Sequence, residues 1–155
     1  MLRCLLLTSA LTLMALPALA RENYALLIGA STYPGLDEKY WLKGPANDVK
    51  LVQTWLTTEA PVPFAPGNVA VLADGVEGAQ APTLAAIRDQ MAALADKVQP
   101  GDFVYLHFSG HGTQAPAADP ESELDGLDEL FLPTDIGPWS NEVSAVENGL
   151  VDDEI

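Results

Sequence analysis

The chain has 155 residues, with 22 acidic side chains, 7 basic ones, a single cysteine and a net charge of −15. With 48% hydrophobic and 19% charged residues, it can build one domain with a real core. The acid excess argues against nucleic acid and anionic membrane surfaces, since phosphate binding needs Lys and Arg. One cysteine argues against an internal disulfide or a Cys-rich zinc site, which leaves basic peptides and metal cations as natural partners.

Residues Met1–Ala20 read as a secretory leader: Arg3, the apolar run Cys4–Leu16, Pro17 as a breaker, then Ala18-Leu19-Ala20 as a small-x-small cleavage pattern. The run is shorter than the roughly 20 apolar residues of a membrane-spanning helix. Cleavage after Ala20 would leave a domain over 21–155 with no cysteine and no membrane segment, exported to a periplasm or beyond. Tyr24–Ala30 is a short continuous apolar run, as expected of a strand buried on both faces of a parallel sheet. Pro34-Gly35 marks a loop. Asn47 or Asp48 is expected to cap a helix, with Val49, Val52, Trp55 and Leu56 on one face. The proline-rich stretch Ala60–Gly67 is a loop, and Val69–Leu72 a second strand closed by Asp74-Gly75. Thr83 caps a second helix, whose Leu84, Ile87, Met91, Leu94 and Val98 repeat at helical spacing, and Pro100-Gly101 stops it. Phe103–Phe108 reads as a third buried strand. After Gln114 the chain turns acidic. From Val98 onward there is no Lys or Arg, while 13 of the 22 acids lie there. Leu130-Phe131-Leu132 reads as a short strand or hairpin arm, and Val151–Ile155 as the start of a helix.

Strand–helix–strand–helix–strand order predicts an α/β fold with a mainly parallel sheet. Sites in such folds form beyond the carboxyl ends of the strands, which points to Ala30–Tyr33 and above all to Ser109–Gln114. There His111 stands between Gly110 and Gly112. An imidazole so little shielded can act as a general base or acid near neutral pH, and neighbouring backbone N–H groups can help bind an oxyanion. A structural turn explains the same residues equally well. His107 and His111 share a His-x-x-x-His spacing, but that pairing suits zinc on a helix, not a strand and turn. His107 is therefore expected to be a packed strand residue. The acids Asp125, Asp128, Glu129, Asp135, Asp152, Asp153 and Glu154 offer the hard oxygens that suit Ca²⁺, or form a solvated acidic loop. Asp48 is read first as a helix cap, and otherwise as a buried carboxylate facing the cleft of His111.

Together, YALLIGASTY at Tyr24–Tyr33, GPANDV at Gly44–Val49, FVYLHFSGHGTQ at Phe103–Gln114, DGLDELFLPTD at Asp125–Asp135 and VDDEI at Val151–Ile155 resemble the caspase-like cysteine peptidases. Within these, the chain is similar to the metacaspase and bacterial orthocaspase branch. The resemblance implies a three-layer α/β/α fold, of which this is the N-terminal portion, and a Cys-His dyad endopeptidase acting on peptides or proteins. It makes His111 the catalytic histidine and Gly112 the source of an oxyanion-hole N–H. It assigns Asp48 and Ser109 to a first specificity pocket selecting Arg or Lys. It assigns Asp128, Asp152 and Asp153 to activating Ca²⁺. In this family the nucleophilic cysteine follows the next strand, so it is expected beyond Ile155, and this polypeptide alone is expected to be inactive. A non-catalytic calcium- or partner-binding module is the competing expectation.

Overall fold

The computed structural model describes residues 21–121, 123–138 and 146–155. The leader read at Met1–Ala20 lies outside them. The strands β1 (Asn23–Gly29), β2 (Val69–Ala73) and β3 (Phe103–Ser109) form a parallel sheet in the order β2-β1-β3. The helices α1 (Pro45–Thr58) and α2 (Leu84–Lys97) cover its two faces. The pleat explains the division, because alternate residues of a strand point to opposite faces. Ala25 and Leu27 pack with Val49, Leu56 and Phe64 on the α1 side. Leu26 and Ile28 pack with Leu72, Leu84 and Ile87 on the α2 side. The result is the expected α/β/α layering, with the apolar run of β1 buried on both sides because it is central.

A second, antiparallel sheet is formed by β4 (Gly112–Pro116), β5 (Leu127–Phe131) and β6 (Leu150–Val151), in that order. A third core cluster of Ala30, Tyr33, Ala115, Leu130, Leu132, Ile136 and Val146 seals it against the carboxyl end of β1. Among the described residues no helix is long and apolar enough to cross a membrane.

Five expectations are corrected. The first helix begins at Pro45 behind Gly44, so neither Asn47 nor Asp48 is its cap. Proline suits the first helical position because its missing N–H has no partner to lose there, and Asp48 falls in the first turn, where the helix dipole favours an anion. Trp55 is 46% exposed, not buried with Val49 and Leu56. Among the described strands β3 lies at the sheet edge, leaving Phe103 40% and Val104 37% exposed, so it is not a buried strand despite its apolar composition. The segment after His111 is a strand rather than a loop, because Gly112–Pro116 finds a partner in β5. Finally, Val151–Ile155 forms the end of β6 and a single 3₁₀ turn, Asp152–Glu154. The second helix agrees with expectation: the Thr83 hydroxyl accepts the Ala86 N–H at 3.2 Å.

Candidate active site

β1 and β3 are adjacent and in register, with Gly29 opposite Ser109. The segments that leave their carboxyl ends, Ala30–Tyr33 and Ser109–His111, therefore emerge side by side. Gly29 permits the close approach of α1: a Cβ there would lie 2.7 Å from Val49 Cγ2 and 2.9 Å from the Pro45 carbonyl oxygen. That approach brings the first turn of α1 over the end of β3. Asp48 and Ser109, 61 positions apart, meet there, and the Ser109 hydroxyl donates to Asp48 Oδ2 at 2.7 Å. Asp48 is exposed, which corrects the expectation of a buried carboxylate. Its charge is held by one hydroxyl and by the helix N-terminus, and it faces solvent, where a cation can reach it.

His111 is fixed on three sides. Its backbone N–H donates to the Tyr33 hydroxyl at 2.9 Å, and that hydroxyl donates to the Ala30 carbonyl at 3.0 Å. The Tyr33 ring lies 5.1 Å from the imidazole, centroid to centroid, tilted by 41°. The His111 carbonyl accepts from Leu132 N at 2.9 Å, which ties the turn to the end of β5. The third contact is chemical: imidazole Nε2 lies 2.6 Å from the Tyr40 carbonyl oxygen. A carbonyl can only accept, so Nε2 is the donor here, and in the neutral tautomer that this contact selects the lone pair lies on Nδ1. Gly110 is required by the crowding, since a Cβ would lie 2.9 Å from the Phe131 ring and 3.0 Å from the Tyr33 hydroxyl.

The loop bearing Tyr40 is itself braced. Trp41 Nε1 donates to the Tyr33 carbonyl at 3.0 Å, and Leu42 N to the Ser31 carbonyl at 2.8 Å. Asp74 accepts from Ser31 N, Thr32 N and the Thr32 hydroxyl, each at 2.7 Å, so the turn after β2 clamps the turn after β1. Burial pushes the Tyr33 phenol above its usual range; the His111 N–H opposes this and the Asp74 charge adds to it. The phenol therefore stays neutral and keeps both hydrogen bonds. His107 behaves as a packed strand residue, stacked on Tyr105 at 6.4 Å, with Nε2 buried and without a partner among the described residues.

The acidic segment forms a separate group. One carboxylate oxygen each of Glu123, Asp128 and Asp153 lie within 4.8 Å of one another. Oxygens bound to one Ca²⁺ at about 2.3–2.6 Å stand at most about 5 Å apart, so three hard donors at this spacing fit a single such ion. Asp128 is buried, at 2% exposure, and the other two are more open. Partial desolvation, then the charges of Asp152, Asp153, Glu129 and Asp128, raise the Glu123 carboxyl above its ordinary range. Of the three metal positions expected from sequence, Asp128 and Asp153 converge. Asp152 lies outside the group and acts on it through its charge. Glu123 was missed; its signal was only its place in an acidic stretch ahead of the Asp125-Gly126 turn.

A family model described as "Metacaspase, peptidase C14 domain" matches residues 23–155, and the chain belongs to that family. It is 37% identical over 114 residues to metacaspase-7 of Arabidopsis thaliana, covering 74% of this chain and 27% of the relative. It is 38% identical over 112 residues to metacaspase-4 of the same plant, covering 72% and 26%. With metacaspase-1 of the fungus Emericella nidulans the identity is 34% over 135 residues, covering 86% of this chain and 30% of the relative. The chain thus spans between 26% and 30% of the length of these relatives.

Proposed function

We propose that this chain supplies the histidine half of a Cys-His endopeptidase site that cleaves after Arg or Lys. The observation that carries the reading is the junction of Asp48 with Ser109 two residues from His111, an exposed anion set beside an oriented imidazole. In this reading His111 Nδ1 accepts the proton of a cysteine thiol and the thiolate attacks the peptide carbonyl. The Tyr40 carbonyl stabilises the imidazolium through Nε2–H. Nδ1–H then protonates the leaving amine, and the Gly112 N–H assists the oxyanion. A guanidinium or ammonium before the scissile bond pairs with Asp48. The only cysteine of the sequence, Cys4, falls in the leader, so the proposal assigns the nucleophile to sequence beyond Ile155. Without it the chain binds substrate and does not cleave.

Calcium belongs to the same proposal. Glu123, Asp128 and Asp153 would hold the ion, whose charge would offset their mutual repulsion and fix the loop before β5 to the turn after β6. Export is proposed from the leader, and N-terminal sequencing of the secreted product should begin at Arg21. The reading is tested by cleavage of Arg- and Asp-containing fluorogenic peptides with the polypeptide that includes the downstream cysteine. Cleavage after Arg alone, lost in His111→Ala, is expected. Equal cleavage after Asp would remove the specificity claim, and activity in His111→Ala would remove the mechanism.

A further inference from the structure

Two chemically different features adjoin the histidine turn. Ser109, two residues before His111, holds the exposed carboxylate of Asp48. His111 itself borders a cavity of about 370 Å³, lined by Leu36, Tyr40 and Leu132 together with His111, Gly112 and Thr113. Neither Asp48 nor Ser109 lines it, and among the described residues no lining side chain apart from the imidazole is acidic or basic. Its volume falls within the ~300–1,000 Å³ usual for ligand pockets. Its walls are preorganised. Leu132 is 3% exposed and its N–H is held by the His111 carbonyl. The Tyr40 carbonyl is held by Nε2 of the same histidine, and the Tyr40 N–H donates to the Asp37 carbonyl at 2.9 Å.

We propose that this cavity is the leaving-side subsite of the site described above, taking an apolar side chain from the residue that follows the scissile bond. The inference rests on the peptidase reading. To protonate the departing amine, the imidazole must touch it, so the amine half of the substrate lies against the ring. The acyl half is committed elsewhere, because its basic side chain is drawn to Asp48. A cavity that shares the imidazole and Gly112 but excludes the carboxylate is on the amine's side. Its walls select by burial: a leucine or phenylalanine side chain loses water against Leu36 and Leu132. A lysine placed there would be partly desolvated with no opposite charge among the described lining residues, and an aspartate would have only the imidazole to offset its desolvation. The site would thus read two residues, a cation before the bond and an apolar residue after it.

The test is direct observation of binding to the chain, which carries no cysteine from Arg21 onward and so leaves peptides intact. Chain with ¹³C-methyl leucine and ¹⁵N amides is titrated with three capped peptides, Gly-Arg-Leu-Gly, Gly-Arg-Asp-Gly and Leu-Arg-Gly-Gly. The expected result is that all three shift the Asp48 and Ser109 amides. Only Gly-Arg-Leu-Gly shifts the Leu36 and Leu132 methyls, and it binds about tenfold more tightly than its Asp counterpart. Leu36→Ala, at a half-buried position, should shrink that preference to below about threefold. If the Asp48 and Ser109 amides respond while the methyls stay still, the subsite is overturned and the peptidase reading stands. Methyl shifts from Leu-Arg-Gly-Gly as large as those from Gly-Arg-Leu-Gly would move the cavity to the acyl side and overturn the assignment. No response at Asp48 and Ser109 to any peptide overturns the peptidase reading and the subsite with it.

Discussion

The histidine turn and the acidic group are built on opposite principles. Around His111 the groups described are paired internally: the backbone N–H to Tyr33, the carbonyl to Leu132, Nε2 to Tyr40, and Tyr33 onward to Ala30. Its geometry needs nothing from outside. Around Glu123, Asp128 and Asp153 three carboxylates converge, and partial desolvation together with the negative charges nearby raises the Glu123 carboxyl. One region is fixed by its own hydrogen bonds, while the other is where a bound cation would add stability.

The strongest way to break the contrast is to remove its keystone. Tyr33→Ala empties a fully buried ring site beneath the turn, and a loss of about 3–5 kcal/mol in urea unfolding is expected. The acidic side should respond to ligand by a comparable amount. At a hundredfold excess of Ca²⁺ over its dissociation constant, stability should rise by about 2.7 kcal/mol, read as a higher Tm against chelator. Asp128→Asn should remove most of that rise, and an unchanged Tm in millimolar Ca²⁺ would reduce the group to a solvated loop. Tyr33→Phe is gentler. It keeps the ring but leaves the His111 N–H without its acceptor, at a cost of about 1–3 kcal/mol. A faster-exchanging His111 amide in the same variant would show that the loss is local to the turn.

Asp48→Asn asks whether the exposed carboxylate recognises a cation. Loss of a charge-assisted contact should weaken binding of an Arg peptide about tenfold, while leaving an uncharged peptide unaffected. The smallest effect concerns the clamp beside the acidic group. Arg88 holds Glu154 through two hydrogen bonds of 2.7 and 2.9 Å, which lower the Glu154 carboxyl below its usual range. Both side chains are substantially exposed, so Arg88→Ala should cost only about 0.5 kcal/mol. A lowered carboxyl pKa stabilises the fold above the ordinary glutamate range, and that contribution disappears as pH falls through the folded value. The difference between wild type and Arg88→Ala should therefore close in acid.

Much of the fold is legible because local pattern and tertiary setting agree. Tyr24–Ala30 is apolar throughout, and the central strand is the one place where such a run is buried on both faces. Thr83 signals a helix start, and its hydroxyl caps one. The same logic fails for Phe103–Phe108, whose composition is equally apolar but whose position in the described sheet is an edge. Burial there depends on which strand lies beside it, which composition does not encode. The start of α1 was misplaced because Asn47-Asp48 is a familiar capping pair, yet Pro45 had already begun the helix.

At the site, His111, Gly112, Asp48 and Ser109 were readable as residue types in a recognisable order. Tyr33 and Asp74 were in view only as a strand-end aromatic and a turn former. Their roles depend on hydrogen bonds across 78 and about 42 positions, which no local spacing reports. Tyr40 could not have been found, since it acts through a backbone carbonyl that every residue possesses.

The sequence by itself determined the class of the molecule: its alternating elements, the excess of acid after Val98, and the motifs that join it to the metacaspases. Tertiary structure alone decided that Asp48 meets Ser109, that Tyr40 sets the proton on Nε2, and that Glu123 rather than Asp152 joins Asp128 and Asp153. The reason is physical. Class follows from periodicity, which is local along the chain, whereas a site is a matter of distances between segments, and those are set by how β1, β3 and α1 pack.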